Sequence, residues 1–118
     1  MDFIYHSAMP QQWEAARSHG VYRQSTRDVT LEQEGFIHCS HVYQLERTLN
    51  TYYSDVEEIL LLEIDVSLLE SEVIEESAPG AGQTFPHIYG PVPVAAVVRA
   101  VPWRIGSDGT FCLDDVDL

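Results

Sequence analysis

The chain has 118 residues, of which 45% are apolar, and its 19 acidic and 6 basic residues give a formal net charge of −13. This length suits one domain with a real core, because such a domain buries roughly two-thirds of the surface of its unfolded chain. No apolar run reaches the ~20 residues of a membrane span, and the negative charge repels phosphate backbones. The sequence therefore argues against a membrane protein and against a nucleic-acid partner.

Two cysteines, Cys39 and Cys112, lie far apart in the sequence. A secreted domain of this size that relied on disulfides would carry more of them, so both thiols are expected to be reduced. The N-terminal residues show no basic start followed by an apolar stretch. We therefore expect a soluble, unprocessed protein of the cytoplasm.

The first third of the chain predicts a strand, a helix and a polar arm. Residues 2–6 have the aromatic and branched composition of a short strand. Pro10 suits the first turn of a helix, which Gly20 is expected to end. Residues 21–23 predict a second short strand, and residues 24–34, which are polar and without a period, predict a loop or a partly ordered arm.

The next segment predicts a strand followed directly by a helix. Residues 35–38, GFIH, enter the strand through a glycine. Ser40 is expected to cap a helix whose apolar positions Val42, Leu45 and Leu49 recur every three to four residues.

The following residues predict mainly strands. Residues 57–69 give the strongest signal, because residues 59–62 are continuously apolar, as in a central strand covered on both faces. Residues 72–77 predict another short strand. The Pro- and Gly-containing residues 78–83 predict a loop, and residues 85–93 predict an irregular aromatic and proline-rich segment.

The C-terminal residues complete the pattern. Residues 95–105 predict the last long strand, which Pro102 places at the edge of a sheet. Residues 108–109, Asp-Gly, predict a turn that folds residues 110–113 back as a hairpin. The order is a strand, a helix, several strands, a second helix and then mostly strands, which predicts an α+β domain.

Three histidines are the main candidates for a functional site. His6 and His38 each end a predicted strand, and His87 lies between Phe85 and Tyr89 in the aromatic segment. Strand ends commonly hold site residues on a rigid frame, and imidazoles beside aromatic rings suit a flat polar ring such as a nucleobase or nicotinamide. Each histidine alone has the plainer interpretation of a hydrogen-bonded structural residue.

Two other chemistries use the same residues. His38, Cys39, His41 and His87 are metal-ligand types, but neighbouring residues of a strand point to opposite faces, and this spacing lacks the pairs typical of zinc modules. Cys39 as a nucleophile meets the same objection and is expected to point into the core. The sequence therefore predicts no metal site.

Ser40 and two glutamates have both structural and functional interpretations. The Ser40 hydroxyl can cap the helix and can also meet a ligand at the helix start. Glu75 and Glu76 precede the Gly-rich loop, which can carry them over a pocket, although a solvated acidic pair is the plainer interpretation.

Trp13 and the segments IYH, GFIHCS, LLLEID and FPHIYGPVP together resemble the DUF952 family, small bacterial-type proteins of unknown function, across roughly residues 3–103. The domain is taken as residues 1–103, and residues 104–118 form an acidic tail outside it. The resemblance implies a fold similar to that of the ADP-ribosyltransferase superfamily, with a split, mostly antiparallel sheet, two main helices and a cleft that binds NAD.

Roles are carried over from that superfamily by position. His6 would hold the cofactor, and His38 with Ser40 would support the nicotinamide and ribose side, as in the histidine-x-x-serine-type strand of the NAD-using RNA 2′-phosphotransferases. The arginine cluster that those enzymes use for RNA is not evident here. The catalytic set implied is His38, Glu75 and His87. The cofactor-binding set implied is His6, His38, Ser40, Tyr89 and Gly90.

The leading hypothesis is a small domain that binds NAD or a related nucleotide and transfers ADP-ribose. A binding module that lacks catalysis is one alternative, and an acidic domain that meets a cationic protein is another. The acceptor and the oligomeric state stay open at this point.

Overall fold

The computed structural model describes residues 2–77 and 82–118 and shows an α+β chain whose strands pair antiparallel. In chain order, the strands are β1 (Phe3–Ala8), β2 (Val21–Tyr22), β3 (Gln24–Thr26), β4 (Val29–Thr30), β5 (Ile37–His38), β6 (Glu58–Asp65), β7 (Val73–Ser77), β8 (Thr84–Ile88), β9 (Val92–Pro93) and β10 (Val97–Arg104). The helices are α1 (Pro10–His19), α2 (Leu31–Glu34) and α3 (Leu45–Tyr52). The loop predicted over residues 78–83 lies largely outside the described residues.

The first sheet has the order β1-β6-β10 and contains the strand predicted to be central. On β6, Leu61 and Leu62 are both fully buried, because their side chains point into two different apolar clusters on the two faces of the sheet. β10 lies at the edge, where the missing N–H of Pro102 is tolerated. The central position of β6 and the edge position of β10 are therefore confirmed.

The N-terminal elements largely follow the sequence. β1 continues past His6 to Ala8, so His6 lies within the strand rather than at its end. The helix α1 begins at Pro10 and ends at Gly20, whose φ of 84° is the left-handed conformation that glycine adopts readily. No helix among the described residues has the length and apolar character needed to cross a membrane.

The polar arm predicted for residues 24–34 is wrong, because this segment is folded. β3 pairs with β4, and α2 follows directly. The Gln33 N–H donates to Thr30 Oγ1 at 3.2 Å, and the Thr30 N–H donates to Gln33 Oε1 at 2.9 Å. These two bonds form a capping box, which stabilises a helix start. The Thr-x-x-Gln spacing of Thr30 and Gln33 is the sequence pattern that predicts this helix start, and it was overlooked because the segment is polar.

The expected helix cap at Ser40 is also wrong. The Ser40 backbone pairs with β1 instead: its N–H donates to the Tyr5 carbonyl at 2.7 Å and its carbonyl accepts from the Tyr5 N–H at 2.9 Å. His41 occupies the cap position of a 3-10 turn, Val42–Gln44, and α3 begins only at Leu45. The predicted helix therefore exists but starts later, because Ser40 is still part of the strand pairing.

The second sheet has the order β5-β8-β7 and corrects the irregular segment predicted over residues 85–93. Pro86 lies in β8, the middle strand. The Tyr89 N–H donates to the Glu72 carbonyl at 2.9 Å, and donors alternate between the two neighbours of an antiparallel strand, so the missing N–H of Pro86 faces β5. Pairing with β5 ends at His38, and the Pro86 carbonyl accepts from the Cys39 N–H at 3.0 Å. A proline is therefore tolerated in this middle strand.

The C-terminal tail packs on the core. Gly109 has a φ of 82° and makes a turn, but residues 110–113 form no strand, so the predicted hairpin is not formed. Phe111 is 1% exposed, and the Trp103 Nε1–H donates to the Cys112 carbonyl at 3.1 Å. These contacts hold the tail against the face of the first sheet that α3 also covers.

Candidate functional site

A cleft of about 260 Å³ opens beside the second sheet and the β3–β4 pair. Its lining combines two imidazoles, one phenyl ring, hydroxyl groups and one carboxylate. The lining residues are Ser25, Thr26, Val29, Glu34, Phe36, His38, Ser77 and His87. The cleft therefore offers an aromatic surface together with hydrogen-bonding groups, as small-molecule sites do.

The alternation of the second sheet decides which side chains reach the cleft. His38 of β5 lies directly opposite His87 of β8, and Ile37 lies opposite Ile88. Residues opposite each other in an antiparallel pair share a face. Ile37 and Ile88 are fully buried in the apolar cluster between the sheets, so both histidines are placed on the cleft side.

The two histidines and Glu76 form a hydrogen-bonded chain. Glu76 Oε1 lies 2.8 Å from His87 Nδ1, and His87 Nε2 lies 3.3 Å from His38 Nδ1. A carboxylate only accepts, so the His87 tautomer that fits this bond carries its proton on Nδ1 and accepts at Nε2 from His38 Nδ1–H. This assignment leaves His38 Nε2 as an unprotonated acceptor, and in the described part of the chain nothing bonds to it.

The environment of His38 keeps its ring neutral. Burial, with a smaller effect from neighbouring His87, lowers the pKa of His38 to about 4. At neutral pH the ring therefore offers the Nε2 lone pair to the cleft rather than a positive charge.

Aromatic and phenolic groups contact the hydrogen-bonded chain near Glu76. Phe36 stacks on the His87 ring, with 3.9 Å between centroids and 15° between planes. The Tyr89 hydroxyl donates to Glu76 Oε1. This hydrogen bond is the main cause that lowers the pKa of Glu76, and the bond from His87 lowers it further. The bond between Tyr89 and Glu76 also raises the pKa of Tyr89. Glu76 is therefore a stable carboxylate that orients His87.

His6 lies deeper than the other two histidines. Its Nδ1 lies 2.7 Å from the His38 carbonyl, and its Nε2 lies 2.8 Å from the Tyr22 hydroxyl. A carbonyl only accepts, so Nδ1 carries the proton and Nε2 accepts from Tyr22. Burial lowers the pKa of His6 to about 4. Both ring nitrogens are used, so His6 positions the backbone of His38 and does not line the cleft.

The remaining sequence-predicted residues have different surroundings. Glu75 bonds to His41 Nε2 at 2.8 Å and to Thr84 Oγ1 at 3.2 Å, and it does not join the histidine chain. Ser40 is buried and pairs with β1 through its backbone. A side chain at Gly90 would overlap the Ser71 hydroxyl, so packing requires a glycine there.

Sequence reasoning missed several residues of this site. Ser25, Glu34 and Phe36 lie in or beside the segment that was taken for an arm, and Glu76 was not separated from Glu75. Strand alternation was the available signal for Glu76, because Glu76 and Glu75 must point to opposite faces of β7. Which of the two glutamates faces the cleft could be decided only from the register of β7 against β8.

The metal and cysteine alternatives find no support in these surroundings. Among residues 2–77 and 82–118, no three His, Cys, Asp or Glu side chains form a group that could hold a metal ion. Cys39 is 1% exposed in the apolar cluster between the sheets, as expected, and burial raises the pKa of its thiol. A nucleophilic thiolate needs the opposite shift.

Fold and site together define an α+β domain of mostly antiparallel sheets with a histidine-lined cleft. The family model described as "Protein of unknown function (DUF952)" matches residues 7–100, and the chain belongs to this family. The crystal structure of protein CC0527 from Caulobacter crescentus is similar, with a TM-score of 0.82 and 27% identity over 97% of this chain and 96% of that one. Its solution NMR structure gives a TM-score of 0.80 and 28% identity over 98% and 96%. Among curated proteins, none matches the chain.

Proposed function

We propose that the cleft binds NAD or a related nucleotide through its nicotinamide–ribose end and that the domain transfers ADP-ribose from it. The observation that carries this proposal is the chain from Glu76 through His87 to His38, which presents a neutral acceptor nitrogen to an aromatic cleft. The split between two antiparallel three-stranded sheets is in keeping with an ADP-ribosyltransferase-like architecture. Free thiols at both cysteines in the described chain suit a cytoplasmic location.

The size of the cleft favours one end of a dinucleotide. Sites for whole drug-sized ligands measure roughly 300–1,000 Å³, and this cleft measures about 260 Å³. A nicotinamide ring with its ribose therefore enters, while the diphosphate and the adenosine remain at the mouth.

The charge of the cleft favours the oxidised nicotinamide ring. Glu34 lines the cleft, Glu76 lies behind His87, and none of the lining residues is an arginine. A phosphate would bind weakly in such a site. A cationic ring binds more tightly, because the carboxylates and aromatic faces such as Phe36 attract it. The same −13 net charge that repels nucleic acid therefore fits the positive end of NAD.

The transfer step uses the same negative charge. When the bond between nicotinamide and ribose breaks, its electron pair goes to the ring and positive charge develops on the ribose. An acceptor group then bonds to the ribose C1′ and loses its proton to solvent. Carboxylates held near the ribose stabilise this transition state more than the ground state. His38, whose pKa is about 4, acts as a hydrogen-bond acceptor for the bound ligand.

Incubation with NAD labelled in the nicotinamide ring tests this function. We expect nicotinamide release from the unchanged chain and at least a tenfold lower rate in His38→Ala, because a hydrogen bond formed in the transition state is lost. His19→Ala is the matched control, since His19 is exposed at the end of α1. Equal rates in the unchanged chain and in His38→Ala would contradict the role given to this cleft.

The catalytically inactive binding module is the second candidate. One observation favours it: Glu76 does not line the cleft but lies behind His87, so its charge acts over a longer distance than a carboxylate in direct contact. Saturable binding of NAD without release would establish this candidate. If NAD at millimolar concentration neither binds nor reacts, the nucleotide proposal is wrong, and binding to a basic protein that weakens at high salt would favour the acidic interaction domain.

A further inference from the structure

Ser25 carries a buried hydroxyl that nothing in the described chain satisfies. Ser25 is 1% exposed, lies in β3 and lines the cleft. Its Oγ makes no hydrogen bond within residues 2–77 and 82–118, a situation shared by Gln12 Oε1, which lies elsewhere. Buried polar atoms are nearly always paired, and one that is not costs free energy. The position of this hydroxyl in a cleft indicates that a ligand supplies its partner.

His38 offers the complementary group on the other side. β3 packs beside β5, and both Ser25 and His38 line the cleft. The His38 Nδ1–H is used by His87, so His38 Nε2 can only accept. The Ser25 hydroxyl has a proton to donate. The ligand group that satisfies both must therefore donate at one end and accept at the other.

We propose that Ser25 and His38 together bind a primary carboxamide carried by the planar ring of the ligand. The amide N–H₂ donates to His38 Nε2, and the amide carbonyl accepts from the Ser25 hydroxyl. This inference rests on the proposed function, since the nicotinamide ring carries a carboxamide. It goes further by naming the residues that form hydrogen bonds with that carboxamide. A ketone in the same place has no donor, so it leaves the His38 lone pair unsatisfied.

This arrangement predicts selectivity between ligands of the same shape and charge. A site built to hydrogen-bond a polar group rejects an analogue that lacks it more strongly than an apolar pocket distinguishes two apolar groups. The methyl ketone differs from the carboxamide only by a methyl group in place of N–H₂. A carboxylate would also be rejected, because it accepts only and Glu34 at the cleft repels it.

The test uses two cationic probes, 1-methylnicotinamide and 1-methyl-3-acetylpyridinium, titrated into the full chain and followed by amide NMR shifts. We expect the carboxamide to bind at least about tenfold tighter than the ketone. Ser25→Ala should weaken carboxamide binding roughly three- to tenfold and reduce the difference between the probes. Ser107→Ala, at an exposed serine, is the matched control.

The thermal stability of Ser25→Ala gives a second readout. Removing an unpaired buried hydroxyl should leave the midpoint of unfolding unchanged or raise it, so weaker binding would not reflect a damaged fold. Equal affinity for the two probes overturns the carboxamide proposal and leaves the cleft proposal standing. Binding of NAD without binding of either probe overturns it as well. If the probes and NAD all fail to bind, both proposals fall.

Discussion

Glu63 in the first sheet and Glu76 in the second have similar local chemistry and different surroundings. Each carboxylate accepts from a tyrosine, Tyr5 at 2.9 Å for Glu63 and Tyr89 for Glu76. The second partner of Glu63 is Arg99, whose guanidinium donates at 3.1 and 3.2 Å. That pairing satisfies Glu63 within the sheet. The second partner of Glu76 is His87, from which the hydrogen bonds continue to the cleft.

The comparison extends to the sheets as a whole. The first sheet is covered by an apolar cluster on each face, whereas the second sheet shares one cluster and turns its other face to the cleft. A polar group in the first sheet must find its partners within the protein. A polar group on the cleft face of the second sheet can leave one position for a ligand. The two sheets should therefore respond differently to the same kind of substitution.

The largest effect is expected from the centre of the first sheet. Leu62→Ala should lower the free energy of unfolding by about 2–5 kcal/mol, because Leu62 is fully buried and its loss leaves a cavity. Leu68→Ala, at a leucine that is 49% exposed, should change it by no more than about 0.5 kcal/mol. Urea denaturation of both variants measures the difference. Similar losses in both would refute the central place given to β6.

The second-largest effect is the loss of folding stability that His6 causes at acidic pH. An unfolded histidine has a pKa near ~6.5, and burial lowers that of His6 to about 4. Between these values the unfolded chain binds more protons, so stability is lost as the pH falls from ~6.5 to about 4, by up to ~1.4 kcal/mol per pH unit for one histidine. His38, with its pKa also lowered to about 4, adds to this slope.

The contribution of His6 can be separated by substitution. His6→Gln keeps a donor for the His38 carbonyl and an acceptor for Tyr22 but does not titrate, so the slope of stability against pH should fall by roughly half. His19→Gln, at an exposed site, is the matched control. Denaturation curves measured at several pH values between 4 and 7 supply the comparison. An undiminished slope in His6→Gln would mean that His6 is not a neutral buried ring.

The smallest effects come from the two tyrosines themselves. Tyr5→Phe removes a buried hydrogen bond to a charged group and should cost about 1–2 kcal/mol of stability, whereas Tyr89→Phe, at an exposed residue, should cost less. Tyr89→Phe should instead raise the pKa of Glu76 toward its ordinary value, because the Tyr89 hydrogen bond is the main cause of its lowering. Carbon-detected NMR titration of the Glu76 carboxyl measures this shift. Equal stability losses in the two variants would erase the contrast drawn between the carboxylates.

The sequence predicted the parts of the fold that depend on long apolar patterns. β6 was identified from its continuous apolar run, and α1 from Pro10 and Gly20. Of the three histidines proposed for the site, His38 and His87 line the cleft, whereas His6 lies behind them and bonds to the His38 carbonyl. β6 and α1 could be predicted because apolar runs and helix start and stop residues are local properties of the sequence.

The rest depended on pairing between distant segments. The choice between Glu75 and Glu76 is set by the register of β7 against β8, and β8 was hidden by Pro86, which normally argues against a central strand. Ser25 belongs to a three-residue strand that is too short for a periodic signal. Its place in the cleft follows only from how β3 packs beside β5.

Pro86 also limits how the gene can tolerate insertions and deletions. If β8 slid by one position against β7, His87 would turn toward the apolar cluster and Ile88 toward the cleft. The same slide would bring the nitrogen of Pro86, which has no hydrogen, to a point where β7 needs a donor. We therefore expect the alignment of β7 with β8 to stay fixed even where related chains differ in the number of residues between these strands.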